Sequence, residues 1–134
     1  MKTELILDGF YYYFDNIETK GKLEGKISLD SKGFFKGHIL NDLSKNRKHK
    51  IIGQIKSQGN IIYLSFIKFS LNFNLADLIY ELEKSSSEEF TGKYIGRWSA
   101  LPYKFMIDET TGLILKRIDY KVLRGWGLTE IKLY

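Results

Sequence analysis

The stretch Lys22-Leu23-Glu24-Gly25-Lys26-Ile27-Ser28-Leu29 alternates strictly, with Leu23, Gly25, Ile27 and Leu29 on one face and Lys22, Glu24, Lys26 and Ser28 on the other. Successive side chains of a strand point to opposite sides, whereas a helix repeats every ~3.6 residues, so this pattern specifies a strand with one wet face. Asp30-Ser31-Lys32-Gly33 follows as a hairpin turn with glycine available for a left-handed position. Phe34 to Leu40 then returns, with Phe35, Gly37 and Ile39 sharing a face.

The same arrangement recurs along the chain. His49 to Ser57 sets Ile51, Gly53 and Ile55 against Lys50, Ile52, Gln54 and Lys56; Ser57-Gln58-Gly59-Asn60 is a second turn, and Ile61 to Ser70 is rich in β-branched and aromatic residues. Glu89 to Ser99 sets Phe90, Gly92, Tyr94, Gly96 and Trp98 against Thr91, Lys93, Ile95, Arg97 and Ser99. Lys104 to Ile107 and Leu113 to Ile118 flank a third glycine-ended loop, Asp108 to Gly112. Leu5 to Phe14 and Leu128 to Tyr134 add strands at the two ends. One segment reads two ways: Leu75, Leu78, Ile79 and Leu82 have helical spacing with Asn74 as cap, yet Leu78, Tyr80 and Leu82 also alternate against Ile79, Glu81 and Glu83. Its strand neighbours favour the strand.

The fold expected is therefore all-β, one domain over residues 1–134: a closed antiparallel meander of about eight to ten strands, because an open sheet of that size leaves edges unpaired. A two-sheet sandwich is the alternative, disfavoured because sandwiches need longer connections between sheets. Gly25, Gly37, Gly53, Gly92 and Gly96 are expected where the wall bends or strands pack closely.

Composition excludes several functions. The chain has 134 residues, 43% hydrophobic and 15% aromatic, with no cysteine. Disulfides, thiolate metal sites and cysteine nucleophiles are removed together, and a reducing, cytoplasmic location is expected. No apolar run approaches the ~20 residues of a spanning helix, so no membrane insertion is expected. His38 and His49 are the only imidazoles and lie at no metal-ligand spacing; Glu88 and Glu89 are adjacent and so on opposite faces of a strand. No nucleophile elbow, phosphate loop or dinucleotide glycine motif occurs. The expectation is a protein that is not an enzyme and carries no metal and no cofactor.

From Gly33 to Trp98 the order of features resembles the small calycin-type barrels, lipocalin-like and avidin-like. The residues that carry the likeness are Gly33-Phe34-Phe35-Lys36-Gly37, Asp42, Lys50-Ile51-Ile52-Gly53, Leu64-Ser65-Phe66-Ile67-Lys68, Tyr80 and Gly92-Lys93-Tyr94-Ile95-Gly96-Arg97-Trp98. They span roughly half the chain. The Gly-x-Trp stands late, where lipocalins carry theirs in the first strand, and residues 15–21 are too short for the helical pair of fatty-acid-binding proteins. The resemblance implies a barrel and suggests an internal pocket.

Parity supplies candidates for that pocket. With Leu64 and Phe66 inward, Lys68 follows them inside, where an ammonium needs a partner or loses its proton; it is placed to hold a carboxylate head group. Tyr80, Tyr94 and Trp98 offer aromatic lining with a polar handle, and Arg97 a cation. For each aromatic the plainer role is core packing, and for Lys68 it is snorkelling to water at a barrel end.

A net charge of +5, with Lys45, Arg47, Lys48 and Lys50 as its densest cluster, supports a second expectation. A basic loop beside the rings of Tyr11-Tyr12-Tyr13 or Phe34-Phe35, of which alternation sends about half into the core and leaves the rest at the edge or rim, would suit nucleic acid or a protein partner. The function expected is thus binding of a small, apolar or anionic ligand by a monomer or homodimer, and the alternative is this surface interaction module.

Overall fold

A computed structural model of the chain describes residues 2–41, 48–70, 75–85, 89–120 and 125–134. Ten strands run in chain order: β1 (Thr3–Tyr13), β2 (Asn16–Leu29), β3 (Phe34–Asn41), β4 (His49–Gln58), β5 (Ile61–Lys68), β6 (Leu78–Ser85), β7 (Gly92–Ala100), β8 (Tyr103–Ile107), β9 (Ile114–Asp119) and β10 (Trp126–Leu133). There is no helix among the described residues. Eight strands form a closed barrel in the order β1-β10-β7-β6-β5-β4-β3-β2, every neighbour antiparallel. Pairing of β1 with β10, Leu7 opposite Leu133 through Tyr13 opposite Gly127, shuts the wall and excludes a sandwich.

The opening pattern of Lys22 to Leu29 is realised as read. Leu23, Ile27 and Leu29 are buried while Lys22, Glu24 and Lys26 are exposed. The strand itself begins earlier, at Asn16, which pairs with Tyr13 across a register shift between Tyr12 and Tyr13. The turn to β3 is held by Asp30, whose Oδ1 accepts from the amides of Lys32 at 2.8 Å and Phe34 at 3.0 Å. Gly33 adopts φ 90° there, a region open to glycine at little cost.

The segment with two readings is a strand: Leu78 pairs with Lys68, Tyr80 with Phe66 and Leu82 with Leu64. Asn74, the proposed cap, lies outside the described residues. Asp77 turns its carboxylate to the Ser70 amide, 2.9 Å away, and to Lys104.

The third hairpin, β8–β9, stands apart from the wall as a two-stranded sheet between β7 and β10. Pro102 has no N–H to extend the β7 ladder, and β9 is exposed along most of its length. The Tyr120 amide donates to the Pro102 carbonyl at 2.9 Å and closes the hairpin's base, while the Ala100 amide donates to Gly125 O at 2.7 Å where β10 resumes.

The barrel's interior is its core: Leu7, Leu23, Ile39, Ile51, Leu64, Tyr94, Ile131 and Leu133 have no exposed surface. Gly53 leaves space between two rings of this core. A Cβ there would run into the Ser65 carbonyl, the Phe66 Cβ and the tip of the Phe35 ring. Connections differ between the two ends. The turns β2–β3 and β4–β5 are tight, while β3–β4, β5–β6 and the long β7–β10 excursion gather at the opposite end, called here the loop end.

Candidate binding site at the loop end

One row of paired inward positions crosses seven of the eight barrel strands, rising from Phe35 beside the β2–β3 turn to the loop end: Phe35, Gly53, Phe66, Tyr80, Trp98, Gly127 and Tyr13 are partners in turn. Because parity sends all of them inside, the interior carries an aromatic belt. Phe66 and Tyr80 stack with centroids 4.6 Å apart, Phe35 meets Phe66 edge-on at 6.3 Å, and Tyr13 meets Trp98 edge-on at 5.3 Å. Tyr11 joins the group, 6.0 Å from Tyr13 and 6.4 Å from Trp98. Such T-shaped and offset contacts suit the ring quadrupoles and fix the rings against one another. The Trp98 indole N–H donates to the Tyr12 carbonyl at 2.9 Å, and Thr129 Oγ1 donates to Phe10 O at 2.8 Å, so both buried donors are satisfied.

One inward step beyond Phe66 toward the loops stands Lys68, the last residue of β5, paired with Ile51 on one side and Leu78 on the other. Its exposure is 7%. Its ammonium has no hydrogen-bond or ion-pair partner among the described residues, and burial lowers its pKa to about 8. The acid nearest on the chain to its β6 neighbours, Asp77, is already engaged. Lys104 Nζ lies 3.3 Å from Asp77 Oδ1 and donates to Leu75 O at 2.9 Å and Ser70 O at 3.2 Å. That ion pair, nearly buried on both sides, ties the β8–β9 hairpin to the β5–β6 connection.

Tyr80, only 1% exposed, has its phenol pushed upward, first by burial and then by the neighbouring hydroxyls of Tyr11 and Tyr13. It stays neutral at any ordinary pH and offers a hydroxyl, never a charge. His49, one inward position along β4 from Ile51, is half-buried with Nδ1 3.3 Å from Phe69 O. In the sequence it stands beside Lys48 and Lys50 of the basic cluster, whose side chains are exposed. Its parity with Ile51 was the signal for an inward side chain. Tyr11 and Tyr13 belong to the belt, in line with the alternation that sends about half of the Tyr11-Tyr12-Tyr13 rings inward.

The candidate residues therefore separate. Phe66, Lys68, Tyr80 and Trp98 come together at the loop end. Tyr94 is fully buried but lies toward the other end, its hydroxyl donating to Phe90 O at 2.7 Å and its pKa raised by burial to about 12. Arg97, expected with them, is exposed on the outer wall, since it neighbours Trp98 in sequence and must face the other way. There it lines a cleft of about 640 Å³ with Phe14, Glu81, Pro102, Tyr120 and Trp126. Phe14 and Trp126 stack at its edge, centroids 5.0 Å apart.

Of the basic cluster, Lys48 and Lys50 are exposed, whereas Lys45 and Arg47 lie outside the described residues. Among the described residues there is no group of three metal-ligating side chains and no helix long and apolar enough to cross a membrane. Chemically, the described residues of the loop end offer an apolar aromatic floor, neutral hydroxyls and, in Lys68, a cation with no partner among them. Comparison of the chain with family models, with curated proteins and with solved structures found no match.

Proposed function

We propose that this chain is a non-enzymatic binding barrel for a small, largely apolar molecule with an anionic head group. The head group lies at Lys68 and the apolar part rests on Phe66, Tyr80 and Trp98. The observation that carries the reading is the Lys68 ammonium, 7% exposed and without a partner among the described residues. A cation taken from water into an apolar wall is destabilised unless an opposite charge joins it, and a ligand carboxylate supplies that charge. The lipocalin-like and avidin-like resemblance of Gly33 to Trp98 supports the same container role, and the absence of cysteine suits a cytoplasmic setting.

Isothermal titration with dodecanoate tests the reading. Saturable binding to the native chain and at least about tenfold weaker binding to Lys68→Met are expected, since loss of one charge-assisted contact is worth roughly 1.5–3 kcal/mol. Absence of saturable binding by the native chain rejects it.

A second reading has its own observation. The stacked Phe14 and Trp126 beside Arg97 form an exposed aromatic and cationic surface, and Lys48 and Lys50 are exposed elsewhere on the wall. Such a surface suits single-stranded nucleic acid, where each stacked base contributes ~1–3 kcal/mol. Salt-dependent binding of an oligonucleotide, lost in Trp126→Ala, would favour it over the container.

A further inference from the structure

On the outer wall, Glu81 of β6, Arg97 of β7 and Leu128 of β10 are partners in turn, and all three side chains are exposed. Ser99 and Trp126 pair in the next outward row toward the loop end. Glu81, Arg97, Ser99 and Trp126 line the cleft of about 640 Å³, together with Pro102 and Tyr120 at the base of the β8–β9 hairpin. Phe14 and Trp126 stack there with planes within 11° and exposures of 43% and 46%, so a large part of each ring stays open to a flat guest.

A ring that stacks on this pair meets a guanidinium and a carboxylate on neighbouring strands. Side chains directly opposite in an antiparallel pair have Cβ atoms ~5 Å apart, so both heads can meet the edge of one molecule. The guanidinium only donates and the carboxylate only accepts. The guest must therefore be planar, with two acceptors beside two donors. Guanine has that edge: O6 and N7 accept from an arginine, while N1–H and the N2 amino group donate to the two oxygens of a carboxylate. Adenine, cytosine and uracil each present one donor group on their pairing edge, which leaves a carboxylate oxygen unmatched.

We infer that this cleft binds a guanine base, stacked on the Phe14–Trp126 pair, with Arg97 on its acceptors and Glu81 on its donors. The inference rests on the nucleic-acid reading of this surface and names the base that it selects; it is independent of the container at Lys68. Stacking supplies affinity for any base, and the charged pair supplies the choice among bases.

The test is an NMR titration of the native chain with GMP, AMP, CMP and UMP, and with oligouridylates carrying one central guanine or adenine. The indole N–H signals of Trp126 and Trp98 are followed, the second being buried and bonded to the Tyr12 carbonyl. The expected result is saturable movement of the Trp126 signal, with the guanine ligand at least about tenfold tighter than its counterparts. A preference confined to GMP makes a free nucleotide the guest, and one confined to the oligonucleotides makes it a strand; both support the inference. Glu81→Gln should erase the preference and leave stacking, whereas Trp126→Ala should weaken every ligand. Equal affinity for all bases, or preference for another base, overturns the inference and leaves the nucleic-acid reading standing; no binding of any ligand removes both. The native series decides by itself, so a variant that fails to fold does not alter the outcome.

Discussion

The rings of Phe66 and Tyr80 lie face to face, centroids 4.6 Å apart and planes within 9°, on paired positions of β5 and β6. This stack forms the floor on which Lys68 stands. It also joins the two strands whose connection carries Asp77, so the packing of the core and the placement of the cation depend on the same pair.

Phe66→Ala removes the ring that Phe35 and Tyr80 both touch, in an interior that has little freedom to collapse. The expected cost is about 3–5 kcal/mol, read as a lower denaturant midpoint with an unchanged slope. A loss below about 1 kcal/mol would mean that the belt is loosely packed.

Lys68 makes stability depend on pH in a definite direction. Its folded pKa of about 8 lies below the ordinary 10.5, so the unfolded chain binds more protons between those values and stability rises with pH across that window. Below pH 8 the full penalty applies, about 3 kcal/mol from the size of the shift. Lys68→Met should therefore be more stable than the native chain by about that amount at pH 7, and the difference should shrink toward zero near pH 10.5. Urea titrations of both proteins at three pH values measure it; a pH-independent difference would show that Lys68 keeps its charge in water.

The ion pair between Lys104 and Asp77 holds the hairpin to the barrel. Lys104→Met leaves Asp77 buried without its cation, and a cost of roughly 3–5 kcal/mol is expected. Amide hydrogen exchange of β8 and β9 should accelerate well beyond that of β1. Equal protection of the hairpin in both proteins would show that the pair does not anchor it.

Trp98→Phe keeps a ring in the belt but orphans the Tyr12 carbonyl, which the indole N–H now satisfies at 2.9 Å. A cost of roughly 1–3 kcal/mol is expected, larger than a volume change alone would give. A neutral substitution would mean that water replaces the donor.

Two-residue periodicity made most of the wall legible. Lys22 to Leu29, Leu64 to Lys68 and Gly92 to Trp98 each show in the sequence which side chains point inward, and the inward parity of Lys68 followed from Leu64 and Phe66. What parity cannot convey is position along the barrel axis. Tyr94 and Trp98 are both inward on one strand and so read alike in the sequence, yet they lie toward different ends. Arg97 faces outward because it adjoins the inward Trp98 on one strand. The hairpin β8–β9 has turn residues like any other, and nothing local distinguishes a strand in the wall from one beside it. Partners across the barrel, such as Trp98 and Tyr12, are far apart in sequence, so the belt emerges only when β1 closes on β10.

The most direct measurement is the pKa of Lys68 itself, followed by NMR of its labelled Cε–Hε group with and without saturating dodecanoate. A midpoint near 8 in the free chain and an upward shift when the carboxylate binds are the expected result. A midpoint near the ordinary lysine value that does not move with dodecanoate would contradict it.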